Sequence, residues 1–180
     1  LGAKIKFADI DPNTMNICVK SVEKLITKKT KAVVCVHYGG LPCDMQGLTK
    51  ITKKHKLFLI EDAAQAIGAK YNNQNIGTIG DFSAFSFQAI KHITTGDGGM
   101  LSLKNKSDYI KGKRIRWFGI DREKKYAGTW ANDIYEVGYK YQMTDISATL
   151  GIDGLNEFKK ILKHRRKIYY LYLKLLSKNK

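Results

Sequence analysis

Acidic residues are scarce: 16 Asp plus Glu stand against 32 Lys plus Arg, a formal net charge of +16 over 180 residues. Such an excess suits nucleic acid, an anionic membrane surface or acidic small molecules. The distribution argues against the polymers. Lysines fall along most of the chain, as in "TKKTK", "TKKHK", "REKK" and "FKKILKHRRK", with no zinc spacing, RNP-like aromatic motif or helix-turn-helix beside them. Cysteine is also scarce. Cys18, Cys35 and Cys43 are odd in number and lack metal-ligand spacing, which speaks against a disulfide framework and against a metal site. Free thiols in a reducing cytoplasm are the reading. No apolar run approaches the ~18 residues needed to span a bilayer, and the charged first stretch is no secretory signal. Internal repeats and low-complexity linkers are missing. With 43% hydrophobic residues, most of the chain is expected to be ordered. It opens at Leu1 on what reads as the end of one element, so a segment of a longer polypeptide is expected.

What is present is alternation. "KIKFADI" reads as a strand, "VEKLI" as a short helix and "KAVVCVHY" as a buried strand. "MQGLTKITKKHK" follows as a helix with a basic outer face, then "LFLIED" as the next buried strand. This order predicts an α/β fold, a mainly parallel sheet with crossover helices. Ligands of such sheets collect at the carboxyl ends of the strands, where Asp62 lies. "YNNQNIG" marks a hairpin-like turn, Phe82 to Phe87 a strand, and "GGMLSL" a last strand. The remainder is expected to be helical: Lys106 to Phe118, an irregular aromatic stretch around Trp130, then helices beginning near Thr144 and Asn156.

Two stretches carry chemistry. In "LFLIEDAAQAIGA" a carboxylate ends a buried strand, which is costly unless something cationic faces it. A helix cap, an internal salt bridge or a protonated heteroaromatic nitrogen paired with Asp62 would each serve. In "SFQAIKHITTGDGG" one lysine, Lys91, sits among small, hydroxyl and glycine residues. It is either a solvated cation or an amine that forms an imine, and the latter must be partly neutral near pH 7. Ser86, five positions earlier, could donate to a phosphate, and Gln65 follows Asp62 by three. "GTIGDFSAFS" and "TTGDGG" match neither a P-loop nor a dinucleotide fingerprint. His37 reads as structurally satisfied, Gly39, Gly40 and Pro42 as turn formers, and Asp44 as a helix N-cap. Trp117 and Trp130 read as core or interface residues.

"HYGGLPCDMQGL", "LIEDAAQAIGAKYNNQNIGTIGDFSAFSFQAIKHITTGDGGML" and "DIYEVGYKYQMTDISATLG" resemble, in order, the signature blocks of the DegT/DnrJ/StrS-type sugar aminotransferases. The resemblance runs from about Ala3 to about Leu173. It implies the central segment of a fold-type I enzyme that uses pyridoxal 5'-phosphate (PLP). Residues 1–105 would be the central part of the PLP-binding large domain, and residues 106–180 a helical region linking to a C-terminal small domain. Lys91 matches the catalytic lysine that binds the cofactor as an imine and then moves protons. Asp62 matches the partner of the pyridinium nitrogen, Gln65 the residue beside the ring and its phenolic oxygen, and Ser86 the phosphate-binding hydroxyl. Lys140 and Gln142 occupy variable positions of a loop that reaches the neighbouring subunit's cofactor phosphate, so a homodimer with shared active sites is implied. The implied substrates are a nucleotide-linked keto-deoxysugar and an amino donor, L-glutamate. Neither nucleic acid nor membrane is an implied partner. Gln88 stands where many members have His, and Lys91 argues against the dehydratases that carry His in its place. The alternatives are a catalytically inactive remnant serving as a binding or regulatory subunit, and a sugar 3-dehydrase, for which the cysteines offer no cluster spacing.

Overall fold

A computed structural model describes residues 2–123 and 133–177. The stretch around Trp130 lies outside the described residues. The chain divides into two units, Leu1–Phe85 with Leu101–Met143, and Ser86–Met100 with Thr144–Lys180.

In the first unit, helix α1 (Val19–Leu25) precedes strand β1 (Ala32–Val36), and α2 (Met45–His55) crosses over to β2 (Phe58–Asp62). β1 and β2 pair in parallel with Val36 opposite Asp62, and β2 pairs in parallel with β5 (Phe82–Ser86), placing Asp62 opposite Ala84. With β6 (Gly99–Leu103) the sheet order is β1-β2-β5-β6. The helical period of α2 buries Met45, Leu48, Ile51 and Thr52 and leaves Lys50, Lys53 and Lys54 exposed. Asp44 caps it, accepting from the Gly47 N–H at 3.0 Å, and Lys56 ends it in the left-handed region at φ 54°. The core gathers Val22, Val33, Cys35, Met45, Leu48 and Leu59. All three cysteines are free thiols, Cys35 and Cys43 buried and Cys18 half-buried.

The hairpin forms as expected. β3 (Lys70–Tyr71) and β4 (Gln74–Asn75) pair in antiparallel fashion around Asn72 and Asn73, whose φ values of 47° and 64° are those of a tight turn with two left-handed residues.

Four expectations need correction. "KIKFADI" is not a strand: only Ile10 bridges, to Ile17, while Ile5 and Phe7 are 77% and 90% exposed. Its alternation supplies a two-sided period but no sheet edge to pair with. β1 buries one face only, Val33 and Cys35, whereas Val34 and Val36 are exposed. Helix α3 covers Lys106–Ile115 and stops short of Phe118, which takes a positive φ of 54°. The two helices expected after Thr144 are one, α4 (Asp145–Leu176), capped where Thr144 Oγ1 accepts from the Ser147 N–H at 3.2 Å. Asn156 lies in its interior, because one residue of modest helix propensity among Leu, Lys and Glu costs too little to break the hydrogen-bond ladder.

Candidate active site

The inward phase of β2 carries Leu59 and Glu61, and the Glu61 side chain is wholly buried. Its carboxylate accepts five hydrogen bonds. Oε1 takes the N–H groups of Gly80 at 2.6 Å and Ile79 at 3.1 Å and the Ser83 hydroxyl at 2.9 Å. Oε2 takes the Gly77 N–H at 3.1 Å and faces His37 Nε2 at 3.1 Å. On the far side of that ring, Nδ1 accepts from the Cys43 N–H at 3.1 Å. The His37 proton therefore sits on Nε2 and points at Glu61; a second proton on Nδ1 would set two N–H groups against each other, opposing the pull of the carboxylate toward an imidazolium. Burial alone would raise the Glu61 pKa, but His37, Gly80, Gly77 and Ser83 more than offset it and hold it down to about 2. Gly77 reaches this carboxylate at φ +91° with the Phe85 ring packed where a Cβ would go. His37 is structurally satisfied, as expected. Sequence reasoning missed the anchoring role of Glu61, whose signal was a charged residue in the buried phase of a strand.

Asp62, the next residue, has the opposite phase and is half-buried at the carboxyl end of β2. Its Oδ1 accepts from the Ala64 N–H at 3.0 Å and so turns the chain. Gln65 Oε1 accepts from the Gly39 N–H at 2.7 Å, which directs its amide NH₂ away from that turn. Gly39 and Gly40 both take positive φ, as expected of turn formers, and a Cβ on Gly40 would lie 2.8 Å from the Gln65 carbonyl oxygen.

Ser86 is half-buried at the end of β5; its Oγ accepts from the Gln88 N–H at 3.3 Å, leaving the hydroxyl proton free to be donated. Lys91 follows in a tight turn, its N–H donating to the Gln88 carbonyl at 2.9 Å. Among the described residues no carboxylate pairs with its ammonium. Beside it, burial first and then the positive charges of Arg165 and Lys91 lower the pKa of His92.

Lys140 and Gln142 lie in the first unit, next to the end of α3. Lys140 is exposed and bridges to Trp117, while Gln142 Oε1 accepts from Arg122 Nη1 at 3.3 Å. Arg122 lies over the Trp117 ring, 5.2 Å from its centre. Asp62 and Gln65 thus share one turn of the first unit, and Ser86 and Lys91 one segment of the second.

The mainly parallel sheet with crossover helices is the architecture of the fold-type I aminotransferases. The sugar aminotransferase CalS13 of Micromonospora echinospora matches it at a TM-score of 0.90 with 31% identity, covering 97% of this chain and 49% of that one. The profile of the DegT/DnrJ/EryC1/StrS aminotransferase family matches residues 1–180, and the chain belongs to that family. GDP-perosamine synthase of Escherichia coli O157:H7 is 39% identical over 173 residues, 96% of this chain and 46% of the relative. A protein of Methanocaldococcus jannaschii, MJ1066, is 47% identical over 174 residues, 94% of this chain and 45% of the relative. The chain therefore spans just under half the length of these relatives. Aminotransferases of the family depend on PLP, and one solved neighbour is known in both a PLP form and a PMP form.

Proposed function

We propose that the chain is the central part of a PLP-dependent aminotransferase that moves an amino group, from L-glutamate, to a nucleotide-linked keto-deoxysugar in amino-sugar biosynthesis. The observation that carries this reading is the donor set at the cofactor-binding positions. Asp62 offers a carboxylate at the carboxyl end of β2 whose Oδ1 is held by Ala64, leaving Oδ2 for a cationic N–H. Lys91 offers an amine with no carboxylate partner among the described residues, Gln65 an amide NH₂, and Ser86 a hydroxyl proton. An acceptor for a pyridinium nitrogen, an amine for an aldehyde carbon, a donor for a phenolic oxygen and a donor for a phosphate are the groups that PLP requires, so the residues fit it. When bound, PLP supplies the electron sink that stabilises negative charge at the donor Cα.

The chain's own groups do the rest. Lys91 would hold the cofactor through Nζ and, when its amine is free, would serve as the base that accepts the proton of the donor Cα and as the acid that returns it. Asp62 keeps the ring nitrogen protonated by a charge-assisted hydrogen bond. Gln65 orients the ring through its amide, and Ser86 fixes the phosphate. Residues 1–105 act as the central part of the PLP-binding domain, and residues 106–180 lead to a small domain. Lys140 and Gln142 serve the partner subunit's phosphate in a homodimer, a role favoured by the exposure of neighbouring Val137, Tyr141 and Ile146. No described helix is long and apolar enough to cross a membrane, and the cytoplasm is the proposed location.

The test is amino transfer by the full-length protein from ¹⁵N-glutamate to a panel of nucleotide-linked keto-deoxysugars, read by mass spectrometry. A labelled amino sugar with wild type and none with Lys91→Ala is expected. PLP bound on Lys91 without transfer to any sugar would favour other chemistry on the same fold. No PLP bound at all would favour the inactive remnant.

A further inference from the structure

Helix α4 carries two interior glycines, Gly151 and Gly154. Glycine is the poorest helix former after proline, so two of them one turn apart call for a reason other than helix formation. Three residues apart, they share a face. That face is occupied by the lysine segment. A Cβ on Gly151 would lie 3.0 Å from Thr95 Cγ2, and one on Gly154 would lie 3.1 Å from Ile93 Cγ2, both tighter than ordinary carbon contacts.

The segment is a closed loop with few anchors. At its neck the Phe87 N–H donates to the Gly98 carbonyl at 2.8 Å and the Thr95 N–H to the Phe87 carbonyl at 2.9 Å. Thr95 Oγ1 donates to the Asp97 carbonyl at 2.9 Å. From Gln88 to Gly98, Ile93 and Thr95 are the only buried residues, 2% and 5% exposed. They are the two that meet the glycines. Lys91 is two residues from Ile93, with only His92 between, so the depth at which the loop seats on α4 is passed to the lysine.

We propose that Gly151, supported by Gly154, is a positioning residue for Lys91: the missing Cβ sets how closely the lysine loop rests on α4. The proposal rests on Lys91 being the cofactor lysine. Its substrate-free consequence is local, and so is its repair. Thr95→Ser removes the opposing methyl while keeping the hydroxyl that bonds the Asp97 carbonyl.

The experiment uses the full-length protein as wild type, Gly151→Ala, Thr95→Ser and the double variant. In the cofactor-free form, amide hydrogen exchange of Lys91 and Thr95 is measured. With PLP added, the fraction of Lys91 that borohydride traps is read by peptide mass mapping. Gly151→Ala is expected to speed exchange at both amides on the order of tenfold and to lower trapping, with Thr95→Ser near wild type and the double variant restored toward it. A glycine with no seating role predicts the opposite sign: alanine, the better helix residue, would leave trapping unchanged and exchange unchanged or slower, and the proposal would be overturned. A double variant no better than Gly151→Ala would overturn it too. Should Gly151→Ala fail to fold, Gly154→Ala with and without Ile93→Leu, which moves the β-branch, reads the same contact one turn away. Wild type that traps no PLP on Lys91 would sink the cofactor reading, while the exchange arm still decides whether the seat exists.

Discussion

Glu61→Gln removes one charge and changes almost no volume, so it isolates the buried hydrogen-bond array. If the amide keeps its oxygen toward Gly80, Ile79 and Ser83, its NH₂ faces the Gly77 N–H and the Nε2–H of His37, and donors meet donors. Turning the amide over instead sets NH₂ against the N–H groups of Gly80 and Ile79. His37 cannot yield by shifting its proton, because Nδ1 is needed by the Cys43 N–H. Losing charge-assisted bonds and stranding a buried donor costs about 3 to 4 kcal/mol. The carboxylate pKa gives an independent figure. Held at about 2 against an ordinary 4.5, it corresponds to about 3 kcal/mol of stability on the ionised form. A carboxylate with a depressed folded pKa stabilises above the unfolded value and ceases to do so as pH falls through the folded one. The contribution is thus complete above about pH 4.5 and gone near pH 2. Urea unfolding of full-length wild type and Glu61→Gln across that range should show a gap of about 3 kcal/mol at neutral pH that closes toward pH 2. A gap under about 1 kcal/mol at neutral pH, or one that does not change with pH, would refute the reasoning.

Asp44→Ala removes the α2 N-cap and the carboxylate that accepts from Tyr71 Oη at 3.0 Å; a loss of about 1 kcal/mol in denaturant unfolding is expected, and no loss would mean the cap is idle. Asp62→Asn keeps an oxygen for the Ala64 N–H, so stability should stay within about 0.5 kcal/mol while PLP binding weakens by on the order of tenfold or more. If that variant bound PLP as tightly as wild type does, Asp62 would have no part in holding the cofactor.

Where one element's own period decides its structure, the sequence was readable. α2 shows this: its apolar residues fall at Met45, Leu48 and Ile51, its cap at Asp44, and its lysines on the open face. Asn72 and Asn73 announced their turn because few residues tolerate positive φ there. Partnership was not readable. "KIKFADI" has the period of a strand, but nothing in it says whether an edge exists to receive it. Asn156 has the composition of a helix start, yet its neighbours carry α4 through it. Glu61 and His37 are 24 residues apart, and only the register of β1 on β2 brings strand end to strand end. Lys91 stood out by its small, hydroxyl-rich setting, whereas the glycines that face its loop lie some 60 residues on, in what reads as ordinary helix.

The most direct measurement concerns the lysine itself. Full-length protein loaded with PLP, reduced with borohydride and digested should give a single phosphopyridoxylated peptide, with the label on Lys91, and glutamate added before the reductant should abolish it. Label spread over many of the chain's lysines, or label on Lys91 that glutamate does not displace, would contradict an aminotransferase built around that residue.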